Sequence, residues 1–259
     1  LWRSEFAPER VRVAAAKLAQ SLPEQKRDGR MVAWSLSRSM LYSNTHSSCE
    51  ANTILRQAQR VPDIVDALQD DPTQVIEHLN IIRASLLQPE HVRTSVAGNI
   101  FDIPPPVEPW RACLPPGSAA QLCPLPWGKD VSTELGQKPR WEGRMCALPA
   151  IESSYAVFTS HGLCGYRDPD YAPLVITLTI LNAMESFLWR YIRGAGLAYG
   201  ASIRNDAESE QIHFILYRAP NAAKAFIEGR KVIEALAYGT PLDDGSRVAF
   251  DETMLESAK

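Results

Sequence analysis

The chain lacks an uninterrupted apolar run of the roughly 20 residues that a membrane-spanning helix needs. It also lacks a charge excess, because 27 basic and 30 acidic side chains leave a formal net charge of −3. The sequence therefore predicts neither a membrane partner nor a nucleic-acid partner. Its 259 residues are 45% hydrophobic, which is enough for a substantial core.

Cysteine is scarce, with five residues in the whole chain and no CxxC pair among them. An odd number at such spacing is untypical of a disulfide framework or a structural zinc site, and it favours a reducing compartment. We therefore predict a cytoplasmic protein, with the mitochondrial matrix as the alternative.

A zinc-peptidase signature of the H-x-x-E-H type is also missing. That signature places two imidazoles one helical turn apart, beside a glutamate that activates water. The nearest approach is "QVIEH", in which Gln74 stands at the first ligand position before Glu77 and His78. Because an amide is a poor zinc ligand, the sequence predicts no metal and no cofactor in this chain.

The first third of the chain is predicted to be helical. Helix-forming composition covers four segments: residues 8–22, 28–43, 47–60 and 71–87. Pro62 is expected to end the third helix. The fourth has Asp71 as its N-cap and an apolar face made of Val75, Leu79, Ile82 and Leu86. Residues 91–100 alternate and are β-branched, which predicts a strand.

A proline-rich stretch follows at residues 101–130 and continues in looser form to about Gly143. Proline excludes a helix here and disfavours a central strand, so we predict an extended linker. Its tryptophans, Trp110, Trp127 and Trp141, favour an ordered strap over a polyproline ligand for a partner domain.

The last part of the chain mixes strand and helix patterns. Residues 147–163 predict one strand or a bent pair, and residues 168–193 predict one long helix. That helix carries an apolar stripe of Leu174, Leu178, Leu181, Leu188 and Ile192. Alternating runs around residues 206–209 predict an antiparallel hairpin, and residues 221–239 predict another helix. The fold class is therefore α+β, an antiparallel sheet with helices on one face, preceded by a helical segment.

Three stretches of the chain are characteristic: "ESSYAVFTSHG", "DPDYAPLVITLTILNAMESFLWRYIRGAGLAYGAS" and "LYRAPNAAKAF". They resemble the pitrilysin/insulysin family of zinc metallopeptidases. In that family a long helix ends near an arginine, and a glycine turn leads to a tyrosine that opens the next strand. "RGAGLAY", from Arg193 to Tyr199, is similar to that arrangement. The resemblance is to the large eukaryotic single-chain members of presequence-protease type.

The resemblance implies four related α+β units in two halves that close around a peptide, with zinc and the catalytic glutamate in the N-terminal half. Residues 1–102 would then end one unit, residues 103–143 would link it to the next, and residues 144–259 would begin that next unit. Both ends of the chain look cut, so we expect a fragment. Its partners would be the N-terminal half of the same polypeptide and a peptide substrate.

The resemblance also implies a substrate-binding site made of Arg193, Tyr199, Gly194 and Gly196, with strand residues 154–160 lining the chamber. A guanidinium and a phenol can donate to substrate carbonyls or to a tetrahedral oxyanion. The glycines would let the backbone turn sharply and approach a peptide closely. The alternative is structural: Arg193 satisfies helix-end carbonyls, and Tyr199 packs in a sheet.

The functional prediction is a non-catalytic, substrate-binding portion of an endopeptidase that degrades unstructured peptides. This chain alone should hydrolyse nothing, because it lacks the metal ligands and the general base. The alternative is a catalytically dead scaffold, similar to the core subunits of respiratory complexes. As an isolated piece, the chain is expected to expose apolar surface along residues 174–188 and to self-associate.

Two further clusters have other interpretations. Ser160, His161 and Cys164 could suggest a cysteine hydrolase, but a strand end with a glycine turn is the preferred interpretation. The acidic run at residues 206–210 is predicted to be a solvated hairpin tip.

Overall fold

A computed structural model of the chain describes residues 5–43, 47–93, 98–99 and 121–258. The chain divides into two compact units, one made of Leu1–Ser21 with Gln59–Leu125 and the other of Leu22–Ala58 with Pro126–Lys259. The α-helices are α1 (Pro8–Gln25), α2 (Gly29–Leu41), α3 (Ser48–Ala51), α4 (Ile54–Asp70), α5 (Pro72–Leu86), α6 (Glu134–Gln137), α7 (Tyr171–Asn182), α8 (Ala222–Tyr238) and α9 (Glu252–Ser257). The strands are β1 (Ser154–His161), β2 (Gly200–Asp206) and β3 (Gln211–Ala219). No helix within the described ranges combines the length and apolarity of a membrane span.

The first unit is helical in its described part. The Arg12 guanidinium of α1 donates to the carbonyl oxygen of Leu68 in α4, at 3.4 Å from Nε and 3.2 Å from Nη2. The predicted N-cap of α5 is confirmed, because the Asp71 carboxylate accepts from the backbone N–H of Thr73 at 2.9 Å. The apolar face of α5 remains partly at the surface, where Leu86 is 57% exposed.

Two predictions for the first third were wrong. The helix predicted to end at Pro62 continues through it, since α4 includes this proline in its interior. A proline removes one backbone hydrogen bond, and here the neighbouring turns hold the helix across that gap. Of the strand predicted at residues 91–100, His91 lies instead in a short 3₁₀ turn and the two residues after it form no strand. Residues 94–97 and 100 lie outside the described part.

The second unit contains an antiparallel three-stranded sheet in the order β1-β3-β2. The predicted hairpin is confirmed, because β2 and β3 pair from Asp206 opposite Gln211 to Gly200 opposite Tyr217. β1 pairs with the other side of β3 and begins at Ser154, which is later than predicted. The α+β fold class with an antiparallel sheet is therefore confirmed.

Helices α7 and α8 pack on one face of this sheet. α8 approaches β3 so closely that a Cβ built on Gly229 would lie 2.6 Å from the Phe214 ring. The apolar core on this face is composed mainly of Leu178, Leu181, Leu188, Ile192, Ile203, Phe214, Leu216, Ala225 and Val232. Most of the stripe predicted for residues 174–193 is thus buried, with Leu174 half-buried. Within residues 174–188, Val175 and Met184 remain exposed at 41% and 83%, and the expected self-association stays a prediction.

Helix α2 contacts residues on the opposite face of the sheet. The rings of Trp34 and His213 meet edge to face with centroids 5.6 Å apart. A Cβ on Gly29 would lie 2.4 Å from the Tyr155 ring, so only glycine allows this approach. Residues 22–58 therefore belong to the same compact unit as the sheet. The predicted division into repeated units, with boundaries at residues 102 and 144, stays a prediction.

The long helix predicted for residues 168–193 is interrupted. α7 ends at Asn182, and a π-helix follows at Trp189–Arg193. The Asn182 side chain makes two 2.8 Å hydrogen bonds with the backbone of Ile203, donating to its carbonyl oxygen and accepting from its N–H. These bonds satisfy the free edge of β2 and fix the end of α7 there. After the break, Glu185 adopts a left-handed φ of +66°.

Part of the predicted linker forms an ordered strap, defined here as residues 126–137. The N–H of Ser43 donates to the Val131 carbonyl at 2.9 Å, and the N–H of Lys129 donates to Glu208 at the same distance. The strap therefore joins the end of α2 to the β2–β3 hairpin. Trp127 lies in it as predicted, whereas Trp141 is 94% exposed. Trp110 lies outside the described residues.

Candidate functional site

The π-helix Trp189–Arg193 positions the predicted arginine. Its wider turn is closed by the N–H of Gly194, which donates to the Trp189 carbonyl at 2.8 Å. Ile192 is fully buried and anchors the turn in the core, while Arg193 next to it is exposed. Single π-turns of this kind occur often at functional sites.

The structure brings Arg193 and Tyr199 together. The Cζ atom of Arg193 lies 4.5 Å from the centroid of the Tyr199 ring and 5.9 Å from that of Trp189. This distance is within the range of a cation–π interaction. Tyr199 is 56% exposed, and its N–H donates to the Arg218 carbonyl at 3.0 Å, at the start of the sheet. Within the described residues the Arg193 side chain makes no hydrogen bond with a helix-end carbonyl. The substrate-binding role of the two residues stays a prediction, and the contact of Tyr199 with the sheet is compatible with the structural alternative.

The two predicted glycines have different roles in this turn. Gly196 has a φ of +69°, a left-handed conformation that glycine adopts without steric strain. Its N–H donates to the Arg193 carbonyl at 2.9 Å. Gly194 is helical, but a Cβ on it would lie 2.5 Å from the Arg190 carbonyl oxygen. Gly196 therefore allows the chain to reverse its direction, and Gly194 allows the close packing at the end of the π-helix.

Two tyrosines extend the site across the sheet: Tyr155, in the strand predicted to line the chamber, and Tyr217, which was not assigned to the site from sequence. Tyr217 of β3 meets Tyr199 edge to face with centroids 6.0 Å apart, and Tyr155 of β1 meets Tyr217 in the same way at 5.3 Å. Tyr155, Tyr217 and Tyr199 thus form a row, here called the tyrosine row, with one residue from each strand or its start. Tyr155 and Tyr217 are half-buried, and their only signal in the sequence is their place in the stretches that carry the resemblance.

A β-bulge places a second arginine beside the tyrosine row. Ser154 pairs with Ala219 and Ala156 with Leu216, so Tyr155 alone stands opposite Tyr217 and Arg218. Arg218 has a φ of +52°, its Cζ lies 5.3 Å from the Tyr217 ring centroid, and its Nε donates to the Tyr155 hydroxyl at 3.3 Å. That hydrogen bond raises the pKa of Arg218.

The charge of the site is positive and unbalanced. Among the described residues, no carboxylate oxygen lies within 4.0 Å of the guanidinium of Arg193 or Arg218. Both arginines are exposed and are supported by aromatic rings. The site can therefore donate hydrogen bonds to carbonyl or carboxylate oxygens of a ligand, with aromatic surface beside each donor.

The residues nearest to a zinc motif do not form a metal site. Gln74 and His78 are exposed on α5, where the amide occupies the place of an imidazole. Over the part of the chain that the structure describes, no group of three or more His, Cys, Asp or Glu side chains is arranged to hold a metal ion.

The Cys164 thiol is hydrogen-bonded to a carboxylate. It donates to Oε1 of Glu210 at 2.9 Å, and Lys129 of the strap donates to the same oxygen at 2.7 Å. The hydrogen bond to Glu210 raises the pKa of the Cys164 thiol, which disfavours a nucleophilic thiolate. Nδ1 of His161 lies 2.8 Å from the Gly162 carbonyl oxygen. The structural interpretation of "SHGLCG" is therefore supported over a cysteine hydrolase.

The predicted solvated tip of the β2–β3 hairpin was wrong. Ala207 and Ser209 are each 3% exposed, and Glu210 binds Lys129 and Cys164. The acidic residues here are used by the strap and by Tyr42, whose hydroxyl donates to Asp206 at 3.2 Å. The run of acidic residues predicted exposure to solvent, but side chains of the surrounding segments bind several of these residues.

The chain is similar to long proteins of three eukaryotes. It is 28% identical over 243 residues to an uncharacterized protein of Schizosaccharomyces pombe, covering 92% of this chain and 22% of that protein. It is 28% identical over 272 residues to one of Saccharomyces cerevisiae, covering 98% and 25% respectively. It is also 28% identical over 237 residues to one of Caenorhabditis elegans, covering 89% and 23%. The chain thus spans roughly a quarter of the length of the curated relatives it matches. No family model matches it.

Proposed function

We propose that the chain is the substrate-binding portion of a zinc endopeptidase of pitrilysin/insulysin type that degrades unstructured peptides. The observation that supports this most is the approach of Arg193 to 4.5 Å from the Tyr199 ring centroid. A helix end and a strand start supply the two groups, as the family resemblance implies. Both are exposed, and the guanidinium has no carboxylate partner in the described residues.

These groups suit a peptide backbone. The Arg193 guanidinium offers several N–H donors and the Tyr199 phenol one O–H donor, and both can bond to peptide carbonyl oxygens. An extended peptide has unpaired carbonyls along its length, whereas a folded protein has few. The preference for unstructured substrates follows from this difference.

Hydrolysis itself is assigned to residues outside this chain. The described residues contain no arrangement that could hold zinc. In this proposal the N-terminal half of the same polypeptide supplies the metal ligands and the general base, and this chain supplies affinity and orientation. The chain's partners are that half and the peptide.

The test uses the full polypeptide that carries this chain, with an unstructured fluorogenic peptide as substrate. Arg193→Ala and Tyr199→Phe should each lower kcat/KM about tenfold or more, since each removes a donor to the bound peptide. Arg190→Ala is the matched control, because Arg190 is an exposed arginine of the same π-helix. The kcat/KM of that control should remain within about twofold of the value for the unchanged protein.

Two results would contradict the proposal. Undiminished cleavage by both Arg193→Ala and Tyr199→Phe would remove the site. A full polypeptide that has no H-x-x-E-H motif and cleaves no peptide would favour the scaffold alternative. Circular dichroism of each variant, compared with the unchanged protein, shows that a loss of activity is not a loss of folding.

The proposed location is the cytosol, with the mitochondrial matrix as the alternative. The scarcity of cysteine supports a reducing compartment. Fractionation of cells that express the full polypeptide would decide between the two, and recovery of the protein in the secreted fraction would contradict both.

A further inference from the structure

Arg218 is placed by the β-bulge in a position that regular pairing would not give it. In a regular strand, Tyr217 and Arg218 would point to opposite faces of the sheet. The extra residue in β3 instead leaves Arg218 over the Tyr217 ring and within 3.3 Å of the Tyr155 hydroxyl. Bulges commonly redirect a side chain in this way beside functional sites.

The backbone at this position does not itself favour arginine. Arg218 adopts a φ of +52°, which glycine reaches without strain and which is unfavourable for residues that carry a Cβ. Its side chain is exposed, so burial in the core does not offset that cost. A residue held in such a conformation at the surface points to a role for its side chain.

The guanidinium of Arg218 is only partly used by the protein. Nε donates to Tyr155, and no described carboxylate lies within 4.0 Å of the terminal nitrogens. The contact with the Tyr217 ring and the bond to Tyr155 hold the guanidinium in place, which leaves its terminal N–H groups available to a ligand. Arg193, supported by Tyr199, is a second such group on the same row.

We infer that Arg218, together with Arg193 and the tyrosine row, selects peptides that carry acidic side chains. A carboxylate matches the planar fork of a guanidinium in two parallel hydrogen bonds, which a neutral amide does not reproduce. The tyrosines beside it offer aromatic surface to the rest of the peptide. The chain's net charge of −3 disfavours a polyanion such as RNA, because only this small patch is basic. This inference names the substrate class of the proposed function and rests on it.

The first measurement compares two labelled unstructured peptides by fluorescence anisotropy with the 259-residue chain. One peptide carries three spaced glutamates, and the other carries glutamine at the same positions. The acidic peptide should bind about tenfold tighter, the ratio that a charge-assisted hydrogen bond supplies. The ratio should shrink as salt rises from about 0.05 M to about 0.5 M, because salt screens exposed charges.

The second measurement uses variants that keep the bulge. Arg218→Gly suits the positive φ and should leave the unfolding midpoint unchanged or higher. The substitution should nevertheless bring the dissociation constants of the two peptides to within about twofold of each other, because it removes the guanidinium that binds the carboxylate. Arg204→Gln is the control, since Arg204 is an exposed arginine of the neighbouring strand β2, and it should keep the preference.

The outcomes separate this inference from the proposed function. Equal binding of both peptides, weakened for both by Arg193→Ala, would overturn the acidic preference and leave the peptide site standing. A preference that survives Arg218→Gly would also overturn the inference. If neither peptide binds, or if a single-stranded RNA of matched charge binds more tightly, both proposals fail.

Discussion

The hydroxyl oxygen of Tyr42 lies 2.7 Å from Oγ of Ser209 and 3.2 Å from Oδ2 of Asp206. This contact joins the end of α2 to the β2–β3 hairpin across 167 residues of sequence. Tyr42 and Ser209 are buried, at 7% and 3% exposure. Burial, with the nearby Asp206 carboxylate, raises the pKa of Tyr42 to about 12. The pair therefore holds the hairpin, and with it one end of the sheet.

We expect Tyr42→Phe to lower the free energy of unfolding by about 1–3 kcal/mol, because it leaves the buried Ser209 hydroxyl without this partner. Urea denaturation measures the change. Tyr238→Phe is the control, since that tyrosine is 78% exposed, and its effect should stay within about 0.5 kcal/mol. The contribution of Tyr42 should fade above pH 10, where the unfolded tyrosine ionises and the folded one does not. Equal effects of the two substitutions would contradict this.

Because His213 is buried, we expect the chain to lose stability in mild acid. Burial lowers the pKa of His213, and its Nδ1 lies 2.9 Å from Oγ1 of Thr159. The unfolded imidazole takes up a proton below about pH 6.5 while the folded one stays neutral, so the unfolded state gains as pH falls. The free energy of unfolding should therefore drop between pH 7.5 and pH 5. His213→Gln should flatten this drop, whereas exposed His78→Gln should not, and a slope unchanged by His213→Gln would contradict the prediction.

Gly136 of the strap is packed so closely that we expect a larger residue there to disturb the packing. A Cβ at this position would lie 2.1 Å from the backbone carbonyl oxygen of Leu41, which cannot move as a side chain can. Gly136→Ala should therefore destabilise the chain by about 1–3 kcal/mol or more. It should also disturb the 2.9 Å bond from the buried Gln211 amide to the Gly136 carbonyl. Gly143→Ala, with nothing within 4 Å of its Cβ, should be neutral in the same urea titration, and a neutral Gly136→Ala would disprove the close packing.

We expect the Asn182 side chain to protect the edge strand β2 from hydrogen exchange. This side chain bonds both backbone groups of Ile203 on the outer side of β2. Asn182→Ala should speed amide hydrogen exchange at Ile203 several-fold or more, because the edge loses its cover. Asn182→Asp should have a smaller effect on that amide, since a carboxylate still accepts from the N–H but cannot donate to the carbonyl. Equal exchange in all three proteins would show that the side chain does not protect the edge.

The elements that could be predicted from sequence are those whose signals lie within a few residues. The cap at Asp71 and the hairpin between β2 and β3 are confirmed, and the helix predicted for residues 221–239 is present, with Asn221 as its N-cap and Gly239, at a φ of +65°, as its C-cap. Each depends on a local side chain, an alternation or a positive φ. The break after Asn182 escaped the same reasoning, because the cause is a bond to Ile203, which lies 21 residues away.

The site divides in the same way. Arg193 and Tyr199 are six positions apart and joined by a glycine turn, so their meeting could be predicted from the sequence and its family resemblance. Tyr155 was included only as one residue of the strand predicted to line the chamber. Tyr217 and Arg218 could not be added, because their contacts depend on the register between β1 and β3. No local pattern reports that register or the bulge in it.

The sequence by itself determined an α+β chain, the ends of α5 and α8 and the turn that carries Arg193 to Tyr199, because those features arise from neighbours along the chain. Tertiary structure decided that Arg218 lies within hydrogen-bonding distance of Tyr155, which is 63 residues away, and that the hairpin tip is covered by the strap. Strand register and the docking of distant segments are set by burial over the whole unit, and no short stretch of residues encodes them.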